Sequence, residues 1–115
     1  MNDHPYVSVI IPTYNRAEIL IRSVKSVLNQ TFEDIEIIVV DDGSNDKGPD
    51  LIAAKFPDAR LIRTSNRGPS HARNIGTRIA SGRYIQYLDA DDLLAPGKLM
   101  AQVHLLEQSK ADVAY

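Results

Sequence analysis

Four short apolar runs divide the chain, and stretches with apolar residues at helical spacing lie between them. The first run, from Tyr6 to Ile11, is rich in β-branched residues and is followed by Pro12. Such a run predicts a strand that is buried on both faces and therefore lies in the middle of its sheet. Similar runs predict three further strands, at residues 36–40, 59–63 and 83–88.

The segment after the first strand predicts a helix over residues 16–29. Asn15 followed by Glu18 three residues later is the pattern of a helix start in which side chains cap the first turn. The apolar residues that recur on one face of this helix are Leu20, Val24, Val27 and Leu28. This spacing predicts that the helix packs on the sheet.

Proline and glycine mark the later helices. Residues 49–55 predict a short helix, and Pro69 predicts the first residue of a helix that runs to Ser81. The inward face of that helix is predicted to carry Ala72, Ile75, Gly76, Ile79 and Ala80. Gly82 is predicted to end it in the left-handed conformation. Pro96 predicts the start of a last helix with one apolar face.

The alternation of strands with helices predicts an α/β fold. Right-handed β-α-β units would give a three-layer α/β/α arrangement with a mostly parallel sheet. The last apolar run, Ala111 to Tyr115, begins another predicted strand, and the chain stops inside it. We therefore interpret residues 1–115 as part of a domain that is truncated at its C-terminus. An open sheet edge of this kind predicts self-association.

The composition fits a single domain without cysteine chemistry. With 115 residues, of which 43% are hydrophobic, the chain can build one core. It contains no cysteine, which excludes disulfides, a thiol nucleophile and cysteine metal sites. The formal net charge of -2 gives no electrostatic reason to expect a nucleic acid as partner. No apolar run approaches the roughly 20 residues of a membrane span, so the sequence predicts a cytoplasmic protein.

Two acidic clusters, each directly after a predicted strand, are the main functional signal. They are Asp41-Asp42-Gly43-Ser44 and Asp89-Ala90-Asp91-Asp92. Because the carboxyl ends of parallel strands line the crevice where α/β proteins bind ligands, both clusters are expected to face one site. Carboxylates there could serve a base, a ribose or a cation such as Mn²⁺ or Mg²⁺. The alternatives are a solvated Asx-type turn for the first cluster and solvated, helix-capping aspartates for the second.

A third candidate segment follows the first strand and reads Pro12-Thr13-Tyr14-Asn15-Arg16. It would present backbone amides and the ring of Tyr14 at the same crevice, where the ring could stack on a base. The alternative is that Tyr14 only covers the end of the sheet and Asn15 only caps the helix.

Together with the segment from Asn66 to Gly76, these motifs resemble the family 2 nucleotide-sugar glycosyltransferases, which have the A-type fold. The motifs occur in the family's order and at its spacing, and they cover nearly all of the chain. The residues that carry the resemblance are Val7-Ser8-Val9-Ile10-Ile11-Pro12-Thr13-Tyr14-Asn15-Arg16, Val40-Asp41-Asp42-Gly43-Ser44, Ala72-Arg73-Asn74-Ile75-Gly76 and Tyr87-Leu88-Asp89-Ala90-Asp91-Asp92.

The resemblance implies inverting transfer of a sugar from a nucleoside diphosphate sugar, with UDP as the expected nucleotide, to a hydroxyl of a saccharide, lipid-linked or protein acceptor. This chain would form the Rossmann-like, nucleotide-binding half of the domain. Pro12, Thr13 and Tyr14 would surround the base. Asp42 would accept a hydrogen bond from the base, and Asp89 would be the acid nearest the ribose.

The resemblance also implies how the diphosphate is held. Asp91 would be the ligand of Mn²⁺ or Mg²⁺, which bridges to the diphosphate. Arg73 and Asn74 lie in the family's donor-binding segment, with Arg73 close to the diphosphate. The family's catalytic base lies beyond Tyr115, so this chain alone is expected to bind donor without turning it over. A role in polysaccharide biosynthesis at the cell envelope is implied, with membrane association left open for a longer protein.

Other nucleotide-binding classes do not fit the turn after the first strand. A nicotinamide-binding Rossmann enzyme would need Gly-x-Gly-x-x-Gly there, and a P-loop protein would need Gly-Lys-Ser/Thr. A sugar nucleotidyltransferase would have a Gly-rich loop where Tyr14 stands. The remaining alternative to an enzyme is a non-catalytic module that binds a nucleotide sugar.

Overall fold

Strands and helices alternate along the residues that the computed structural model describes, 6–30 and 34–109. The strands are β1 (Val7–Thr13), β2 (Ile35–Asp41), β3 (Arg60–Arg63) and β4 (Tyr84–Tyr87). The helices are α1 (Ala17–Leu28), α2 (Gly48–Lys55), α3 (Pro69–Ile79) and α4 (Lys98–Ser109). Each strand and helix predicted within these ranges is present, and the ends differ from the predicted ones by two residues or fewer.

The strand β1 lies inside the sheet, as its apolar run predicted. The strand order is β3-β2-β1-β4, and neighbouring strands are parallel. Each residue of β1 is buried. Ile10 pairs with Ile38 of β2 on one side and with Tyr87 of β4 on the other. The carboxyl ends of these strands therefore lie at the same edge of the sheet.

Helices cover both faces of the sheet. On one face, alternate residues of β1 and β2 pack against α1, α2 and α4, with Leu20, Ile52 and Leu99 among the buried helical residues. On the other face, Ile10 packs against Ala72 of α3. The predicted inward face of α3 is confirmed, and so is the three-layer α/β/α fold class. The sheet is wholly parallel within the described residues.

The strand β1 continues through Pro12 and ends at Thr13, two residues later than predicted. Ile10 C=O accepts from Leu88 N–H, so the backbone groups of Pro12, two residues further on, face the same side of the strand. On that side β4 has already ended, at Tyr87. The missing N–H of Pro12 therefore removes no hydrogen bond between strands.

The start of α1 is capped by another loop rather than by Asn15 and Glu18, so the predicted capping box is wrong. The residue before the helix makes no side-chain cap. Instead Ala17 N–H donates to Asp46 Oδ2 at 3.2 Å, and the other oxygen of Asp46 accepts from Gly48 N–H at 2.9 Å. One carboxylate thus satisfies backbone donors at the starts of both α1 and α2.

The helix α3 ends at Ile79, and Gly82 does not take the predicted left-handed conformation. Glycine is required at 82 for a different reason. A Cβ atom there would lie 2.5 Å from Ser8 Oγ and 2.6 Å from Ser8 N. Gly82 therefore allows the chain to pass close to the start of β1 before it enters β4.

The helix α4 begins at Lys98, two residues after the predicted Pro96. Lys98 N–H donates to Ala95 C=O at 3.1 Å, so Pro96 and Gly97 form a turn in front of the helix. The strand predicted at Ala111–Tyr115 lies outside the described residues. None of the described helices is long and apolar enough to cross a membrane.

Candidate functional site

A cavity of about 310 Å³ opens at the carboxyl ends of β1, β2 and β4. It brings together the segment after β1, the carboxylate of Asp42 and the loop after β4, which the sequence predicted to share one site. The lining residues are Pro12, Thr13, Tyr14, Arg16, Asp42, Pro69, Ala72, Asp89, Ala90 and Asp91.

Tyr14 is exposed and lines this cavity, and the residue after it, Asn15, is bonded to the loop that follows β2. Asn15 N–H donates to Ser44 Oγ at 2.8 Å, and Asn45 N–H donates to Asn15 Oδ1 at 2.8 Å. Asn15 has a φ of 51°, a left-handed conformation that asparagine tolerates better than most residues. Asn15 thus joins the two loops, rather than capping α1 as predicted.

Thr13 contributes a buried polar group without a partner. Its residue is 6% exposed, and its Oγ1 has no hydrogen-bond partner among the described residues. An unsatisfied buried hydroxyl costs about 1–3 kcal/mol, and such groups gather where a ligand or water completes the site.

The carboxylate of Asp42 is buried against the loop that precedes α3. Its Oδ1 accepts from Arg67 N–H at 2.8 Å, and its Oδ2 accepts from Gly68 N–H at 2.8 Å. Asp42 N–H in turn donates to Thr13 C=O at 2.9 Å. Asp42 therefore fixes the β3–α3 loop next to the cavity, a role that the sequence did not predict. Each oxygen keeps a second lone pair for a ligand.

The neighbouring Asp41 is fully buried and is not among the residues that line the cavity. Its carboxylate accepts from the hydroxyl and from the N–H of Ser44, which is an Asx-type turn, and Arg63 Nε lies 3.4 Å from its Oδ2. The alternative of a turn with both aspartates solvated is therefore wrong. The turn exists, but it forms inside the protein, because loops from both neighbouring strands cover it.

The second cluster is open to solvent. Asp89, Asp91 and Asp92 are exposed, and each can offer a carboxylate oxygen such that these oxygens lie within 4.8 Å of one another. Carboxylate oxygens are the ligands preferred by Mg²⁺ and Mn²⁺, so the donor set fits such an ion. Asp92 joins Asp91 in this set, although the sequence assigned only Asp91 as metal ligand.

Two polar side chains of α1 and one that follows its C-terminal end hold the backbone of this acidic loop. Ser23 Oγ lies 2.5 Å from Ala90 C=O and 2.7 Å from Asp92 C=O. Ser26 Oγ accepts from Leu94 N–H at 3.1 Å, and Gln30 Nε2 donates to Ala95 C=O at 2.8 Å. The sequence reasoning missed these residues. Their signal is a polar set at spacings of three and four residues within an otherwise apolar helix face.

Arg73 and Asn74 differ in their relation to the site. Arg73 Nη2 donates to Asp89 Oδ1 at 2.8 Å, so its guanidinium lies at the edge of the acidic cluster. Asn74 is exposed on α3, and neither residue is among those that line the cavity. Arg73 therefore reaches the site through Asp89.

Glu36, whose pKa is shifted, lies at the opposite end of the sheet. Glu36 Oε2 accepts from Ser8 Oγ at 2.6 Å and from Ser81 N–H at 3.0 Å, and Arg60 lies 3.3 Å from Oε1. Burial raises the pKa of Glu36, but the hydrogen bonds from Ser8, Ser81 and Arg60 outweigh it and hold the pKa below its usual 4.5. This group is structural and lies outside the cavity.

Comparison with known proteins connects this geometry to one enzyme family. The model of the family described as Glycosyl transferase family 2 matches residues 8–115. The glucosyltransferase WfaP of Escherichia coli, described as UDP-Glc:alpha-D-GlcNAc-diphosphoundecaprenol beta-1,3-glucosyltransferase, is 41% identical over 112 residues. The match covers 95% of this chain and 44% of WfaP.

Two solved structures share the fold. S. aureus TarS 1-349 in complex with UDP superposes with a TM-score of 0.83 and 26% identity, covering 93% of this chain and 33% of that one. The mannosyltransferase PcManGT from Pyrobaculum calidifontis, in complex with GDP-Man and Mn²⁺, gives a TM-score of 0.73 and 33% identity, covering 85% and 31%. The chain spans less than half the length of the curated relatives it matches, from 15% to 44%.

Proposed function

Because the chain belongs to glycosyltransferase family 2, we propose that its cavity binds the nucleoside diphosphate part of a UDP-sugar together with Mn²⁺ or Mg²⁺. The observation that carries the proposal is the meeting of two chemistries in one cavity. The aromatic residue Tyr14 lines it together with Asp89 and Asp91 of the acidic loop. A nucleotide combines an aromatic base with a charged diphosphate, so it complements this set of residues.

The base and the ribose are assigned to the ends of β1 and β2. Pro12, Thr13 and Tyr14 surround the base, and the hydroxyl of Thr13 gains a partner when the site is filled. The carboxylate of Asp42 already accepts hydrogen bonds from two backbone N–H groups, and it accepts one from the base through a remaining lone pair. Asp89 is the acid nearest the ribose. The UDP complex of TarS and the UDP-Glc specificity in the name of WfaP support uracil as the base.

The diphosphate is assigned to the acidic loop. Asp91 is the main ligand of the cation, with oxygens of Asp89 and Asp92 within reach of the same ion. A divalent cation supplies electrostatic stabilisation of the nucleoside diphosphate as it leaves. The Mn²⁺ in the PcManGT structure supports a cation in this fold. Arg73 and Asn74 extend the positive and polar surface next to the diphosphate.

The reaction is proposed to be inverting transfer to an acceptor hydroxyl, in keeping with the family. A diphosphoundecaprenol-linked acceptor in the name of WfaP makes a lipid-linked saccharide the first acceptor to test. A general base must take the acceptor proton on the face opposite the leaving group. We propose that residues 1–115 supply donor binding and that this base and the acceptor wall lie outside them.

Calorimetric titration of UDP into the chain, in buffers with Mn²⁺, with Mg²⁺ and with EDTA, tests this proposal. We expect binding in the presence of either ion and clearly weaker binding in EDTA, since the acidic loop would otherwise repel the diphosphate. GDP is the matched control for the base and is expected to bind less tightly than UDP. Absence of UDP binding, or the same affinity with the ion and with EDTA, would contradict the proposal. A transfer assay on a protein that also contains the proposed base and acceptor wall then distinguishes an enzyme from a non-catalytic binding module.

A further inference from the structure

The ion pair between Arg73 and Asp89 lies within the cluster that is proposed to hold the cation. Arg73 Nη2 is 2.8 Å from Asp89 Oδ1, and Asp89 shares its cluster with Asp91 and Asp92. The two side chains are 34% and 53% exposed, so the pair can open without large desolvation changes. A positive group therefore already occupies part of a site that suits a divalent cation.

Arg73 differs in this respect from the other arginines of the stretch between residues 60 and 83. Arg60, Arg63 and Arg83 lie beside Glu36, Asp41 and Glu107, in that order, and those carboxylates are outside the acidic loop. Arg67 approaches Asp42 through its backbone N–H. Among the described ion pairs, that of Arg73 is the one that joins a cation to the acidic loop.

We propose that Arg73 is a counter-ion that couples cation binding to nucleotide binding. Without nucleotide, the guanidinium pairs with Asp89 and repels a divalent ion from Asp91 and Asp92. When the diphosphate binds, its negative charge draws Arg73 away from Asp89 and frees that carboxylate. The inference rests on the proposed binding of UDP and a divalent cation at this site, and it adds the residue that makes each ligand favour the other.

The physical basis is the balance of charge in the site. The three carboxylates of the acidic loop attract a cation, and the guanidinium of Arg73 repels it. The net attraction is therefore smaller than it would be without Arg73. Removal of one unit charge a few ångströms from the ion, at exposed positions in ordinary salt, corresponds to about a threefold change in affinity. The same guanidinium makes a charge-assisted contact with a diphosphate, where loss of the contact weakens binding by about tenfold.

The coupling can be measured as the ratio of the Mn²⁺ dissociation constants without and with saturating UDP. Arg73→Gln removes the charge, Arg73→Lys keeps it, and Arg78→Gln is the matched control, since Arg78 is exposed on the same helix. Circular dichroism of each variant checks that the fold is retained. By thermodynamic linkage, the same ratio must be obtained from UDP titrations with and without Mn²⁺.

We expect Arg73→Gln to bind Mn²⁺ alone about threefold more tightly than wild type and to bind UDP with Mn²⁺ about tenfold more weakly. Its coupling ratio therefore falls. Arg73→Lys and Arg78→Gln are expected to bind Mn²⁺ alone as weakly as wild type does. An unchanged ratio in Arg73→Gln, or an equal fall in Arg78→Gln, overturns the role of Arg73. Failure of wild type to bind UDP at all is a different result, because it overturns the proposed function itself.

Discussion

The two acidic clusters look alike in the sequence, since each follows a strand, yet the protein uses them differently. Asp41 and Asp42 are buried, and each of their carboxylate oxygens accepts a hydrogen bond or an ion pair. Asp91 and Asp92 are exposed, and their carboxylates accept no hydrogen bond from the described residues. The first cluster holds loops together, and within it only Asp42 also lines the cavity, whereas the second cluster is open to a ligand.

The difference follows from the position of the two strands in the sheet. The strand β2 has neighbours on both sides, so the loops that follow β1 and β3 close over its end. Thr64 N–H donates to Asp41 C=O, and Asp42 N–H donates to Thr13 C=O. The strand β4 has one partner, β1, among the described residues. Within the described part of the chain, the acids after β4 thus stay open, whereas those after β2 are drawn into the scaffold.

The largest expected effect is a loss of stability when the first cluster is disrupted. Asp41→Ala leaves the hydroxyl and N–H of Ser44 and the guanidinium of Arg63 without their buried acceptor. We expect the free energy of unfolding to fall by about 3 kcal/mol. Asp92→Ala, in the second cluster, should change it by less than about 0.5 kcal/mol. Urea denaturation measures both, and equal destabilisation by the two variants would remove the distinction between the clusters.

A smaller loss of stability is expected when α1 no longer holds the loop of the second cluster. Ser23→Ala removes the hydroxyl whose single hydrogen is shared between the carbonyls of Ala90 and Asp92. We expect a loss of about 1–2 kcal/mol in the free energy of unfolding, together with weaker metal-dependent binding of UDP, because the acidic loop loses its anchor. Lys25→Ala, exposed on the same helix, is the control. A Ser23→Ala variant that keeps full Mn²⁺-dependent affinity for UDP would show that the anchor is not needed.

The smallest effect concerns Glu36, a third carboxylate that is satisfied like Asp41 but lies at the other end of the sheet. Its pKa in the folded protein is below the ordinary 4.5, so folding favours the ionised form. This contribution is complete above the ordinary pKa and is lost as the pH falls through the lowered one. Stability measured across acidic pH should therefore decline less steeply in Glu36→Gln than in wild type. Parallel pH profiles would contradict this sign.

The periodicity of apolar residues was sufficient to predict the order of the elements and the layers of the fold. The continuous run before Pro12 correctly indicated a buried inner strand, and the spacing from Leu20 to Leu28 correctly indicated a helix on the sheet. Such patterns report burial, and burial decides which segments pack together.

The errors arose where a distant residue determines the local structure. The cap of α1 comes from Asp46, and the need for glycine at 82 comes from Ser8. In the site, the motifs correctly indicated which segments meet at the cavity. They could not show that Asp42 also anchors a loop or that Ser23 holds the acidic loop, because those contacts join residues 25 to 69 positions apart.

The most direct test of the account compares Asp91→Asn with Asp42→Asn in calorimetric titrations of UDP and of uridine, with Mn²⁺ and with EDTA. We predict that Asp91→Asn loses most of the metal-dependent part of the UDP affinity, about 1–3 kcal/mol, and keeps uridine binding. Asp42→Asn is predicted to weaken uridine itself. If Asp91→Asn retains the full dependence on Mn²⁺, or if both variants lose uridine binding equally, the open cluster is not the cation site and the account is wrong.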